Sequence, residues 1–197
     1  MKTDVVIVGG GPAGLLLSQR LHLEGVENVV LECRSREYVL GRIRAGVLEW
    51  GSVEVLRASG VGERMDTEGQ VHDGSDIVWG GEHRLTIDTR KYADRPMMAY
   101  GQTNITKDLY AARDAMGGLI VDEAEDVTLH DIDTHHPSVG TRRTGIAIVS
   151  IVSSLRAAMA STASAGRPSL RRHVGNLKRS IRSAGWASCL KHRRYLS

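Results

Sequence analysis

Residues 4–32 read DVVIVGGGPAGLLLSQRLHLEGVENVVLE, and few folds can accommodate that stretch. Asp4 to Val8 is short, apolar, β-branched and bounded by glycine, the pattern of a buried parallel strand. Gly9, Gly11 and Gly14 follow at G-x-G-x-x-G spacing, and Leu15, Leu16, Leu17 and Leu21 then recur with helical periodicity. Each glycine has a physical role. Gly9 permits the tight turn, Gly11 lets backbone approach a pyrophosphate, and Gly14 lets the helix pack close to the strand. The helix N-terminus offers unpaired N–H groups and a partial positive charge. Val29 to Leu31 predicts a second strand, ended by Glu32, an acid placed to accept hydrogen bonds from a ribose diol. The spacing is that of a dinucleotide fingerprint; the competing reading is a tight βα turn without a ligand. An acid rather than an arginine at position 32 favours an unphosphorylated ribose, hence FAD or NAD.

The charge distribution breaks in the second half. All 23 acidic residues lie at or before Asp133, whereas the 64 residues from Thr134 contain 12 Arg and Lys and no acid. Average composition would place about eight acids there. The domain reading is therefore a folded part at 1–138 and a basic, acid-free tail at 139–197, with disorder expected for most of the tail. Within it, Ile146 to Val152 is apolar and β-branched enough for a strand. Trp186 and Tyr195 alone could stack on bases and no nucleic-acid module is present, so no nucleic-acid partner is expected. No apolar run reaches the ~18 residues of a membrane span, and the chain enters a strand without a secretory leader. Cys33 and Cys189 form neither a disulfide framework nor a metal spacing. A cytoplasmic, membrane-free protein is the expectation.

Between these landmarks, Arg34, Arg36, Arg42 and Arg44 concentrate positive charge near Glu32. They suit bidentate pairing with diphosphate oxygens, or simply a solvated basic loop. Val47, Leu48, Val53, Val55 and Leu56 predict a helix stopped near Gly60. Val71 to Asp88 reads as antiparallel strands in a hairpin across a Gly-Gly turn. A helix is predicted from Thr103 or Asn104 to Met116, with Thr103 as cap and Leu109, Ala112 and Met116 on its packed face. Leu119–Val121 and Val127–Leu129 predict two more strands. His130, His135 and His136 match no common ligand spacing, so no metal site is expected.

Three phrases carry a resemblance: the opening stretch, YVLGRIRAGVLEWGSVEVLRASGV from Tyr38, and YGQTNITKDLYAAR from Tyr100. From Met1 to about Pro137 the chain resembles the flavin-dependent aromatic hydroxylases, in particular their 4-hydroxybenzoate 3-monooxygenase branch. The resemblance implies an α/β fold: a Rossmann-like FAD-binding βαβ unit with interleaved antiparallel strands that begin a substrate domain. It implies that Gly9, Gly11 and Gly14 hold the FAD pyrophosphate and Glu32 the adenosine ribose. Arg42 and Arg44 would serve FAD and NADPH, Gln102 the flavin, and Tyr38 NADPH recognition. Cys33 replaces an arginine of the family pattern, which leaves NADPH and NADH both open. The implied reaction is NADPH-dependent hydroxylation of 4-hydroxybenzoate to 3,4-dihydroxybenzoate, in a homodimer.

The same resemblance calls for a Gly-Cys-Asp-Gly motif shortly after residue 150, a later Gly-Asp motif and a substrate-carboxylate set, none of which occurs in this chain. No catalytic residue is therefore assigned. The chain reads as a truncated, inactive hydroxylase; a binding module for FAD or NAD, or a fragment without function, is the alternative. A frame starting at the third base of each codon lets Arg156 to Ala163 encode Gly-Cys-Asp-Gly-Phe-His-Gly. It also restores family-like phrases from Thr141 and from Arg182, in the right order. Met159 and Trp186, with one codon each, constrain those matches. The tail is thus expected to follow a frameshift near Ser138 to Gly140.

Overall fold

Val5, Val6 and Ile7 are buried on both faces of their strand, and this fixes the layering of the whole domain. Val5 and Ile7 pack with Val30 against Leu17, Leu21 and Val26 on one side. Val6 packs with Val29, Leu31, Val121 and Val139 on the other. A strand apolar on both faces needs cover on both, and each such Val or Ile contributes about 1.5–3 kcal/mol when fully buried.

The computed structural model describes residues 1–44, 46–131, 134, 137–143 and 146–152. In chain order the elements are β1 (Lys2–Thr3), β2 (Val5–Val8), α1 (Pro12–Leu23), β3 (Asn28–Leu31), α2 (Arg36–Gly41), β4 (Val47–Glu49), α3 (Trp50–Ala58), α4 (Glu63–Glu68) and β5 (Gln70–His72). There follow β6 (Gly74–Trp79), β7 (His83–Asp88), α5 (Thr89–Ala93), β8 (Met97–Ala99), α6 (Gln102–Ala115), β9 (Leu119–Val121), β10 (Glu125–His130), β11 (Ser138–Arg143) and β12 (Ile146–Val152).

The fold is mixed α/β. Strands β2, β3 and β9 form a parallel sheet in that order, with Val5 opposite Asn28 and Val29 opposite Leu119. Parallel neighbours require a crossover, which α1 supplies between β2 and β3. At Asp4 the first strand changes partner: Lys2 and Thr3 pair in parallel with Ile151 and Val152, at one edge of a sheet ordered β1-β12-β11-β10. A third sheet, β4-β8-β5, is antiparallel. The largest core cluster joins Leu15 of α1, Val53 and Leu56 of α3, Met65 of α4, Met98 of β8 and Ile105 and Leu109 of α6.

Several expectations need correction. Val47–Glu49 is a strand because it pairs with Met97–Ala99, and the helix begins only at Trp50. Helix α6 starts at Gln102 with Gly101 as its cap, which places Thr103 inside the first turn. Its packed face runs through Ile105, Thr106, Leu109, Tyr110 and Arg113, while Met116 is 41% exposed. Ile146–Val152 is the strand that its apolar, β-branched run predicts, and it pairs with Ser138–Arg143 in a hairpin. The rest of the tail, with the offset phrases from Arg156 and Arg182, lies outside the described residues, as do His135 and His136. The expected hairpin is present as β6–β7, with Ile77 opposite Leu85 and Trp79 stacked on His83.

Two polar features of α6 stand out. Tyr100, 4% exposed, donates from its hydroxyl to Asp108 at 2.8 Å, and Arg64 reaches the other carboxylate oxygen at 2.8 Å. Arg113 is 1% exposed, and its Nε and Nη1 have no hydrogen-bond partner. Desolvating such a charge costs several kcal/mol. Its place in the last turn of α6 returns only about 0.3–1 kcal/mol through the helix dipole.

Burial, then the hydrogen bond to Asp108, push the Tyr100 phenol up to about 12. Burial, then the charge of Asp122, push Tyr110 up as well. Both phenols resist ionisation in the native state more than in the unfolded chain, where tyrosine titrates near pH ~10. Their contribution is therefore complete below pH ~10 and is lost as pH rises through the folded value. Denaturant midpoints measured across that interval should fall, and Tyr100→Phe should make the fall shallower. A slope identical to that of the unsubstituted chain would refute this.

Candidate functional site

The site grows from the turn between β2 and α1. Gly9 still belongs to the ladder, its N–H donating to the Leu31 carbonyl at 2.8 Å, but its φ of 115° is open only to glycine without strain. The next N–H, of Gly10, donates to Glu32 Oε2 at 2.6 Å. The other carboxylate oxygen accepts the Arg34 N–H at 2.9 Å. Glu32 is thus held by backbone on both sides and is 9% exposed. Such charge-assisted bonds are short and strong; Oε1 also accepts from the Cys33 thiol at 3.5 Å, so Oε2 is the oxygen that keeps a further lone pair for a ligand hydroxyl.

The three fingerprint glycines separate by role. A Cβ on Gly14 would lie 2.0 Å from the Gly9 carbonyl oxygen, so helix and turn are in backbone contact there. A Cβ on Gly11 would meet nothing within 4 Å: its face is open. Gly11 caps α1 with no side-chain hydrogen bond, Pro12 opens the helix, and no acid occupies its first turn. By helix geometry the N–H groups of Ala13 and Gly14 lack an intrahelical acceptor. Open backbone, free donors and positive dipole fit a pyrophosphate.

Sequence reasoning missed Gly10, though the run of three glycines was its signal. A Cβ there would sit 2.9 Å from Glu32 Cβ, so the residue must be glycine for the acid to seat against the turn.

The basic loop divides. Arg36 is engaged within the fold: it forks onto Asp114 at 2.6 and 3.1 Å and lies 4.4 Å from the Tyr110 ring centre. Tyr38, 46% exposed on α2, has Arg34 at 5.1 Å and Arg42 at 5.8 Å from its ring centre. Ser35 caps that helix by accepting the Tyr38 N–H. Arg42 also approaches the Tyr38 hydroxyl at 3.5 Å. Arg44 is exposed and lies two residues before Gly46, whose carbonyl accepts the Tyr100 N–H at 2.7 Å. That backbone contact brings Gly46 beside the start of α6, where Gln102 stands. The structure thus brings Gly9, Gly11, Gly14 and Glu32 together on one unit, Tyr38 and Arg42 on a second, and places Arg44 and Gln102 on segments that meet. Cys33 is exposed; burial of its sulfur and the charge of Glu32 push the thiol up, away from reactivity. Among the described residues no His, Cys, Asp or Glu group could hold a metal ion, and no helix is long and apolar enough to cross a membrane.

The family described as FAD binding domain matches residues 2–171. The chain is 43% identical over 132 residues, 66% of its length, to p-hydroxybenzoate hydroxylase of Acinetobacter baylyi, and spans 32% of that relative. It thus covers about a third of that curated relative. Among solved structures, p-nitrophenol 4-monooxygenase PnpA from Pseudomonas putida superposes with a TM-score of 0.67 at 19% identity, over 83% of this chain and 42% of the other. The flavin-dependent monooxygenase PieE, solved with FAD and substrate, gives 0.64 at 21% identity, over 79% and 30%.

Substitution separates the roles of Gly11 and Gly14. Gly14→Ala should destabilise the fold by about 1–3 kcal/mol, the usual cost of overpacking. Gly11→Ala should stay within about 0.5 kcal/mol of the parent while weakening nucleotide binding. Thermal melts and ADP titrations of both variants measure this; equal stability of the two would contradict the assigned contact.

Proposed function

The chain belongs to the FAD binding domain family, and from that premise we propose that it binds FAD through the adenosine half of the cofactor, as part of an NADPH-dependent 4-hydroxybenzoate hydroxylase. The observation that carries this reading is the Glu32–Gly10 lock beside an open Gly11 and an uncapped α1. The residues present fit the group. Gly11, Ala13 and Gly14 offer backbone N–H donors to the pyrophosphate, and Glu32 accepts from the ribose hydroxyls. Bound FAD would supply electron transfer from the nicotinamide and activation of dioxygen.

The remaining assignments rest on the resemblance and on where the side chains stand. Arg42 and Arg44 neutralise phosphate charge, Gln102 serves the flavin from the start of α6, and the Tyr38 ring between Arg34 and Arg42 gives a nicotinamide nucleotide a cationic, aromatic surface. The acid at 32 disfavours a phosphorylated ribose at the FAD site, so NADPH is placed at this second surface. The aromatic substrate, the homodimer and a cytoplasmic setting belong to the same reading. No group assigned to substrate chemistry lies in these 197 residues, so taken alone they are expected to bind without turnover.

The test is titration of the chain with ADP and with FAD, followed by calorimetry and flavin fluorescence. Glu32→Gln keeps the volume and should weaken ADP by about tenfold, the value of one hydrogen bond to a charged acceptor. An affinity unchanged in Glu32→Gln would remove the ribose role. Formation of 3,4-dihydroxybenzoate by the unsubstituted chain would overturn the expected inactivity.

For residues 139–197 we propose the shifted frame, supported by the absence of acids and by the ordered offset phrases. The hairpin through Val152 and the family match to residue 171 favour the other reading, a native frame. Reading the codons from position 130 onward decides: third bases incompatible with the offset phrases refute the frameshift.

A further inference from the structure

The β6–β7 hairpin stands apart from the three cores. Ile77, Trp79, Leu85 and Ile87 are 39–53% exposed, and none of them joins a buried cluster. The ladder puts all four on one face, with Ile77 opposite Leu85 and Ser75 opposite Ile87. Asp76, Val78, Arg84 and Thr86 share the other face. A two-stranded hairpin is marginal by itself, and a third strand is one of the usual remedies. Among the described residues no strand pairs with the outer edge of β7.

That edge carries none of the usual protections. Every residue of β7 is exposed, and its ladder with β6 runs from His83 to Asp88 without a bulge. No proline interrupts the strand. Helix α5 turns toward β6: Arg90 pairs with Asp73, and Thr89 donates its hydroxyl to the Asp73 carbonyl at 2.7 Å. An edge of this kind accepts a further strand through its backbone.

We propose that β7 pairs edge to edge with β7 of a second copy of this chain, antiparallel about a two-fold axis through Thr86, to give a four-stranded sheet. The strand is complementary to itself in that register. Arg84 falls opposite Asp88 of the partner subunit and Leu85 opposite Ile87 of the partner subunit, and the symmetry repeats both contacts. Opposite charges and apolar pairs directly across a ladder are both stabilising, and the two apolar faces run on as one. A shift of two residues in one direction sets Asp88 opposite the partner's Glu82; in the other it sets Arg84 opposite the partner's Arg90. Like charges then meet in either case. A shift of one residue sets apolar side chains against polar ones. Arg84 is accessible for the contact: it is 67% exposed and stands 3.7 Å from Asp76. Asp88 Oδ1 accepts the Lys91 N–H at 2.9 Å, and a carboxylate has acceptor sites beyond that one. The proposal gives the homodimer of the preceding reading a surface, yet it stands on the hairpin and not on nucleotide binding.

Sedimentation equilibrium of the full chain tests this. A monomer–dimer equilibrium is expected, and salt should weaken it. Arg84→Asp and Asp88→Arg each bring like charges together in a homodimer, and each should raise the dissociation constant about tenfold. An equimolar mixture of the two variants restores both ion pairs in a heterodimer, which should be about tenfold tighter than either variant alone. Ile87→Thr keeps β-branching on an exposed position and leaves the Asp88 cap intact; it should weaken association as well, even if Asp88→Arg disturbs α5. A chain that stays monomeric at its highest soluble concentration overturns the proposal, and so do open-ended assemblies larger than a dimer. Association unchanged in Arg84→Asp and Ile87→Thr does so too, because the contact would then lie elsewhere. A mixture no tighter than its components refutes the register. Failure to bind ADP with the dimer intact would count against the nucleotide reading alone.

Discussion

The contact between the Glu32 carboxylate and the Gly10 N–H is the interaction on which the nucleotide half of the molecule depends. It ties the end of β3 to the turn leaving β2, so that strand register, turn shape and helix placement become one constraint. Were the acid lost, a buried N–H would go without its acceptor and the turn would lose its reason to press against the sheet. Because the same carboxylate keeps a lone pair for a ribose, structural and binding roles meet in one side chain. The site is therefore already shaped before a ligand arrives, and ordering costs on binding are small.

Around that lock the fold divides its cations among separate duties. Arg36 is consumed by Asp114 and covers Tyr110, which stiffens the connection between α2 and α6. Arg34 and Arg42 share one aromatic ring and remain accessible. Arg113 is buried at the other end of the sheet, with Nε and Nη1 making no hydrogen bond. Arginines that look alike in composition thus serve three different ends, and only placement distinguishes them.

What the sequence made legible was local. The glycine spacing, the leucine period of α1 and the acid after β3 lie within about thirty residues, and their geometry follows from the turn itself. The Gly-Gly hairpin was legible for the same reason. Distant pairings were not. Val47–Glu49 reads as helix until β8, far along the chain, claims it as a strand. The Arg36–Asp114 fork spans 78 positions and left no local mark. Arg113 did leave one, since it falls four residues after Leu109 on the packed face, but an arginine there is ordinarily taken for solvated. The composition break at residue 133 has no counterpart in the backbone pairing, which runs past it to Val152.

The change of partner at Asp4 has a kinetic consequence. The βαβ unit and its third strand are complete once residue 121 is present, the β2–β3 pairing from contacts of short separation and the β3–β9 pairing from longer ones. Lys2 and Thr3, however, pair with Ile151 and Val152, nearly the full span of the described chain. Closing a loop of that length is entropically slow, and such non-local pairings come late in folding. During synthesis the first residues to leave the ribosome would therefore be among the last to find their partners. Until then the first strand presents an unsealed edge, with the nucleotide-binding unit already assembled beside it.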